Sequence, residues 1–226
     1  MTAELRAGRI VGALVLIQLI GAFVLNFVVE APLFGEPGFL VSAAPHALQI
    51  GAGVLLALAL AGTNVVLALT VFPLIERHSA ALARALLVVS AVGVAAAVLE
   101  QVNVMSMVSL SQAYAKAAAA GPAGFEPLRG AVAAARNWAH FLGLLVHGAL
   151  LFVFYAAALR FRLLPRVLAV YGLAAVAIQM VVVSRPLFGA GIVFPLLFLL
   201  FIAQVALLVR LLWKGFGSPA VRAPAG

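Results

Sequence analysis

The side chains able to do acid–base or ligand chemistry are few in this chain of 226 residues: six glutamates, four histidines, no aspartate and no cysteine. The most informative group lies in VAAAVLEQVNVMSMVSL, Val94–Leu110, where Glu100, Gln101 and Asn103 interrupt an apolar run. A lone ionised carboxylate in apolar surroundings is so costly that it takes up a proton or finds a partner. At about 100° per residue, Gly93, Ala96, Glu100, Asn103, Met107 and Ser111 fall on one helical stripe, small at one end and polar at the other. Small residues let helices approach closely and polar ones bond across them, so the stripe is expected to face other helices.

A partner for Glu100 is suggested by AHFLGLLVHGALL, which puts His140, Gly143, His147 and Leu151 on one face. At ~1.5 Å per residue, Glu100 lies about 18 Å below Gln112 and His147 about 15 Å below Asn137. Matching depths on consecutive helices predict an antiparallel Glu100–His147 pair. A buried polar pocket built on Glu100, Gln101, Asn103, His140 and His147 would bind or pass a small molecule or a proton. The same pair could equally be glue between two helices. His46 and His140 are both expected near the outer face. Neutral imidazole is a common metal or haem ligand, but two histidines without carboxylates or thiols nearby fit interfacial residues better. No metal site and no cofactor are expected, haem b being the one alternative. Gln18, Asn64, Gln179 and Gln204 are single amides within apolar runs, each read as packing glue unless several share one space. The aromatic run LFVFY is core or lipid contact.

The elements that must position these groups follow from composition. Hydrophobic types make up 66% of the chain and charged types 9%, against about 45–50% and about 25% in soluble domains. Such a chain cannot cover a water-facing surface, and its solvent is a bilayer. The net charge of +8 would suggest nucleic acid in a soluble protein, but here the basic residues are scattered between apolar runs and report membrane topology. All but Lys116 and Lys214 of the basic residues are arginine, and the wealth of Ala, Gly and Val points to a GC-rich bacterial source. The absence of cysteine excludes disulfides, thiolate catalysis, iron–sulfur clusters and c-type haem attachment.

The expected fold is an all-α integral membrane protein with six transmembrane helices in one bundle. The spans are read at about 10–29, 47–74, 85–110, 138–159, 167–184 and 192–212, each reaching or approaching the ~20 residues that cross the hydrocarbon. Together they form a domain over 1–214, and 215–226, GFGSPAVRAPAG, is expected to be a mobile cytoplasmic tail. The first run is longer than the ~7–15 residues of a signal core and is read as a retained span. Connections are marked by Pro and Gly in EAPLFGEPGF, AAGPAGFEPLRG, RFRLLPR and SRPLFGAG. AYAKAAAAG should extend span three, EPLRGAVAAAR should be helical in an outer loop over Gly121–Asn137, and Pro195 could kink span six.

With a cytoplasmic N-terminus, Arg6, Arg9, Arg77, Arg84, Arg160, Arg162, Arg166, Arg210, Lys214 and Arg222 lie inside, against Lys116, Arg129, Arg136 and Arg185 outside. That bias predicts a multi-pass protein of the bacterial inner membrane with both termini in the cytoplasm. Trp138 and Trp213 stand at span ends, where interfacial anchors belong. There is no internal repeat, Walker loop, dinucleotide fingerprint, H-E-x-x-H or G-x-S-x-G.

GRIVGALVLIQLIGAFVLNFVV, the Glu in span three, RFRLLPRVLAVYGLAAVA and the ending LLVRLLWKGF together resemble the bacterial membrane family called domain of unknown function 4386 (DUF4386), over Arg9 to Phe216. LPRVLAVYG and LLWKGF are the most specific parts. The resemblance implies six helices and no particular activity. The family tends to carry an acidic residue in span six where this chain has Gln204, so no charged site carries over to that position. Three functions remain open: a polar site binding or passing a small molecule or proton; a haem protein or enzyme using His46, His140 or His147; and a structural or regulatory subunit without ligand. The balance leans away from an enzyme. The expected partners are the bilayer and a small hydrophobic or amphipathic ligand, with no nucleic acid. The oligomeric state is open.

Overall fold

The computed structural model describes residues 2–117 and 124–217. The last residues of the AYAKAAAAG extension, the first of the outer loop and the tail from 218 onward lie outside the described residues. The rest is mainly helical: α1 (Ala3–Val24), closing in a π-helical turn (Leu25–Val29), α2 (Ala31–Phe34), α3 (Phe39–Ser42), α4 (Ala47–Glu76), α5 (Ala80–Ala117), α6 (Phe125–Arg160), α7 (Arg166–Ser184) and α8 (Phe194–Lys214). No strand occurs among the described residues. Six helices are long and apolar enough to cross a membrane, and they pack as a bundle. Large apolar side chains stand fully open on their outer surfaces, among them Leu48, Leu55, Val167 and Trp213. Water would penalise that surface, while lipid tails do not.

The helices exceed the apolar runs. α5 continues past the apolar end near 110 to Ala117, as expected from AYAKAAAAG, and α6 starts at Phe125 rather than Trp138. EPLRGAVAAAR is therefore helical but is the first three turns of α6, not a separate piece. The reason is local: Ala, Leu, Arg and Glu are strong helix formers, and a helix does not stop where hydropathy does. Pro195 starts α8 instead of kinking it, because the first helical positions have no amide partner to lose.

The chain divides into two compact units, one comprising Met1–Leu16, Thr63–Val92 and Leu144–Gly226, the other Ile17–Gly62 and Gly93–Gly143. In the first, α7 packs on α8 and small residues set the spacing. A Cβ on Gly172 would fall 2.3 Å from the Tyr155 ring, and one on Gly148 would fall 2.7 Å from Met180. Gly8 of α1 sits directly on the backbone of Gly215. The segment after α8 is held there by Phe216 N–H donating to the Glu4 carbonyl and Gly217 N–H to the Leu163 carbonyl. His78 stacks on Phe161 at 4.9 Å.

In the second unit, the connection between α1 and α4 folds into α2 and α3, which turn one face inward and leave the other open. Leu33, Phe39, Leu40 and Ala43 join Ile50 of α4 and Val104, Met107 and Val108 of α5 in one core. Ser111 of α5 ties this cap down from both sides. Its Oγ donates to the Leu40 carbonyl and accepts from the Ala44 N–H, each at 2.8 Å. Gly21 lies against Leu60 and Gly53 against Val29, so α1 and α4 pack closely.

Candidate functional site

The inward stripe of α5 is as its periodicity requires: Gly93, Ala96, Glu100 and Asn103 are half-buried, and Met107 and Ser111 are buried. What meets Glu100 differs from the sequence expectation. Its Oε1 lies 2.8 Å from His140 Nδ1, a hydrogen bond that either group can donate according to where the proton resides. The same oxygen forms an ion pair with Arg136 Nη2 at 3.2 Å. His147 stands two turns farther along α6 and is replaced by His140 as the partner of Glu100. The cause is the register of the α5–α6 hairpin. Tyr114 meets Phe125 edge-on at 5.4 Å, and from that contact Glu100 is 14 residues inward (114 to 100) while His140 is 15 (125 to 140). His147 is 22 (125 to 147). Depths counted from the apolar ends placed α6 too far along.

Two further residues belong to the cluster, and the sequence reading did not single out either one. Arg136 is one turn before His140 on α6, the i,i+4 spacing that stacks side chains on one face. Its Nη2 also donates to Glu30 Oε2 at 3.2 Å. Glu30 is set by the π-helical turn, in which its own N–H donates to the Leu25 carbonyl five residues back. The inserted residue re-aims the end of the helix, as such turns do. Gln49 Nε2 satisfies the carbonyls of Val28 and Val29 that this end leaves open. Phe34 of α2 covers the guanidinium at 4.6 Å. Gly143 leaves room beside the carboxylate; a Cβ there would lie 3.9 Å from Glu100 Oε2.

Glu30, Arg136, Glu100 and His140 thus form a continuous line. Side-chain exposure rises along it, from 3% and 7% at Glu30 and Arg136 to 16% and 29% at Glu100 and His140. Burial pushes the Glu30 carboxyl above its ordinary value, opposed by the Arg136 guanidinium beside it. Arg136 Nε has no partner among the described residues. The one sequence signal for these two was the spacing of Arg136 and His140; Glu30 follows an apolar run and looks like an interfacial charge.

The other candidates are dispersed. Asn103 donates to the Leu99 carbonyl of its own helix at 2.8 Å. Gln101 and Gln179 are buried, each with an oxygen that no donor reaches among the described residues. Gln18 and Asn64 are each engaged with a neighbouring group, and Gln204 is half-buried on α8. His46 is exposed, its Nδ1 2.8 Å from the Ser42 carbonyl. No group of three or more His, Cys, Asp or Glu side chains is placed to hold a metal ion among the described residues.

A family model described as domain of unknown function (DUF4386) matches residues 10–215, most of the chain. No curated protein and no solved structure matches it.

Proposed function

The chain belongs to the DUF4386 family, and from its six membrane-crossing helices and the charges between them we propose a proton-binding protein of the bacterial inner membrane, both termini cytoplasmic. The ten-to-four bias of basic residues supports that orientation. The observation that carries the proton reading is the charge count in the line Glu30–Arg136–Glu100–His140. Two carboxylates face one guanidinium. With both ionised and the imidazole neutral, the cluster carries one uncompensated negative charge. Such a charge is expensive away from water, and one dissociable proton cancels it. That proton belongs to the cluster rather than to a single residue. His140, the most exposed member and bonded to Glu100, is where it enters and leaves.

An infrared titration of the purified protein tests this. One carboxylic C=O band should appear as pH falls, should shift in deuterium oxide, and should be lost or altered in Glu100→Gln. A spectrum in which wild type and Glu100→Gln titrate alike would leave the cluster a structural tie. Proton passage, the stronger form, predicts that vesicles containing the protein dissipate an imposed pH gradient faster than vesicles containing His140→Ala. The purified protein is expected to be colourless, without a Soret band.

A further inference from the structure

Between α4 and α5 lies a groove of about 380 Å³ lined by Val54, Leu58, Val98, Val102, Met105 and the amide of Gln101. The volume lies at the low end of small-molecule sites, about 300–1,000 Å³. Val98, Val102 and Met105 are open on its walls, whereas Gln101 is only 5% exposed and forms its floor. The Gln101 oxygen has no donor among the described residues. An unpaired buried amide in an apolar wall is costly and calls for an explanation. Farther along the groove stand Ser106 and Ser109. Their hydroxyl hydrogens are committed to the Val102 and Met105 carbonyls of the same helix, so toward the groove each oxygen can only accept.

We infer that this groove binds a single-chain lipid with a free hydroxyl head, such as a monoacylglycerol or a long-chain alcohol. A hydroxyl is donor and acceptor at once. It accepts from the Gln101 amide nitrogen and donates to the amide oxygen, once the amide turns, or to a serine oxygen. A hydrocarbon or an ether-capped chain offers no donor. From Val98 to Ser109 the groove runs about 16 Å along α5, one seam between two helices, and it holds one chain. The walls are the apolar surfaces such a chain prefers. This site shares no side chain with the proton cluster, and it stands whether or not that cluster exchanges protons.

The test uses the full chain in phosphatidylcholine vesicles with a diazirine-bearing monoacylglycerol, and maps the labelled peptides. Labelling should fall on the α4 and α5 segments around Leu58 and Val102. Unlabelled long-chain alcohol should compete, and its methyl ether should compete about fivefold less well, the worth of one hydrogen bond. Gln101→Leu should weaken labelling by a similar factor while leaving the melting temperature unchanged or raised, since it removes an unpaired buried amide. Val102→Phe, a change on an open wall position, should block labelling. Equal competition by the ether would overturn the assignment. So would labelling indifferent to Gln101→Leu. A fall in melting temperature with Gln101→Leu would mean that the amide is already satisfied within the protein, and this too would overturn it.

Discussion

At the residue scale, the behaviour of the cluster turns on Arg136, the one cation shared by two carboxylates. Arg136→Ala leaves Glu30 and Glu100 buried without it, and breaking a buried pair in this way costs about 3–5 kcal/mol. The loss should appear as a large drop in melting temperature in detergent. Glu100→Gln and His140→Ala, by contrast, remove the same hydrogen bond. Their effects should be non-additive by about 0.5–3 kcal/mol in a double-mutant cycle, and simple addition would refute the pairing. Glu30 supplies a pH dependence whose sign is set by burial. Its carboxyl is held above the ordinary 4.5, so the native state keeps a proton that the unfolded chain has already lost. The stability it confers is full below that value and declines as pH rises through the raised one. Glu30→Gln keeps an oxygen for Arg136 and removes the titration. Plotted against pH, the melting temperature of the variant should therefore gain on wild type as pH rises above about 4.5; parallel curves would count against it.

At the element scale, close helix contacts rest on glycines whose neighbours differ in how far they can give way. A methyl on Gly8 would meet the Gly215 backbone at 2.4 Å, and Gly215 is itself in the left-handed region at φ 64°. No rotamer change relieves that contact, because both partners are main chain. A methyl on Gly148 meets the Met180 side chain, which is unbranched and can swing aside. Gly8→Ala should therefore cost roughly 1–3 kcal/mol or more, as overpacking does, and Gly148→Ala distinctly less. Thermal denaturation of the two variants side by side would read the difference, and the reverse order would contradict the packing argument. The π-helical turn and the cap of α2 and α3 work at the same scale. They bring Glu30 and Phe34, far from Arg136 in sequence, to the same guanidinium.

At the scale of the whole molecule, an even number of crossings puts both termini on one side. A reporter fused after Gly226 should signal from the cytoplasm, and a reporter active only outside would reject the orientation. The basic residues bear on that prediction unequally. Arg136, counted among the outer charges, is a buried member of the site. Removing it from the count leaves ten against three, which strengthens the bias.

Composition and periodicity alone determined the class and the faces. A chain so poor in charge must dissolve in lipid, backbone groups in lipid must pair within helices, and a stripe of small and polar residues must turn inward. Those are local properties, carried by every stretch of about 20 residues independently of the others. The DUF4386 resemblance was likewise legible in LPRVLAVYG and LLWKGF. The partner of Glu100 was not, because it depends on where two helices begin. α5 runs to Ala117 and α6 begins at Phe125, both well beyond the apolar ends, and that offset of several residues exchanged His147 for His140. Glu30 and Arg136 were hidden for a related reason: each looks like an ordinary interfacial charge in sequence. Only tertiary packing removes both from water, pairs Glu30 with Arg136 and sets Arg136 against Glu100.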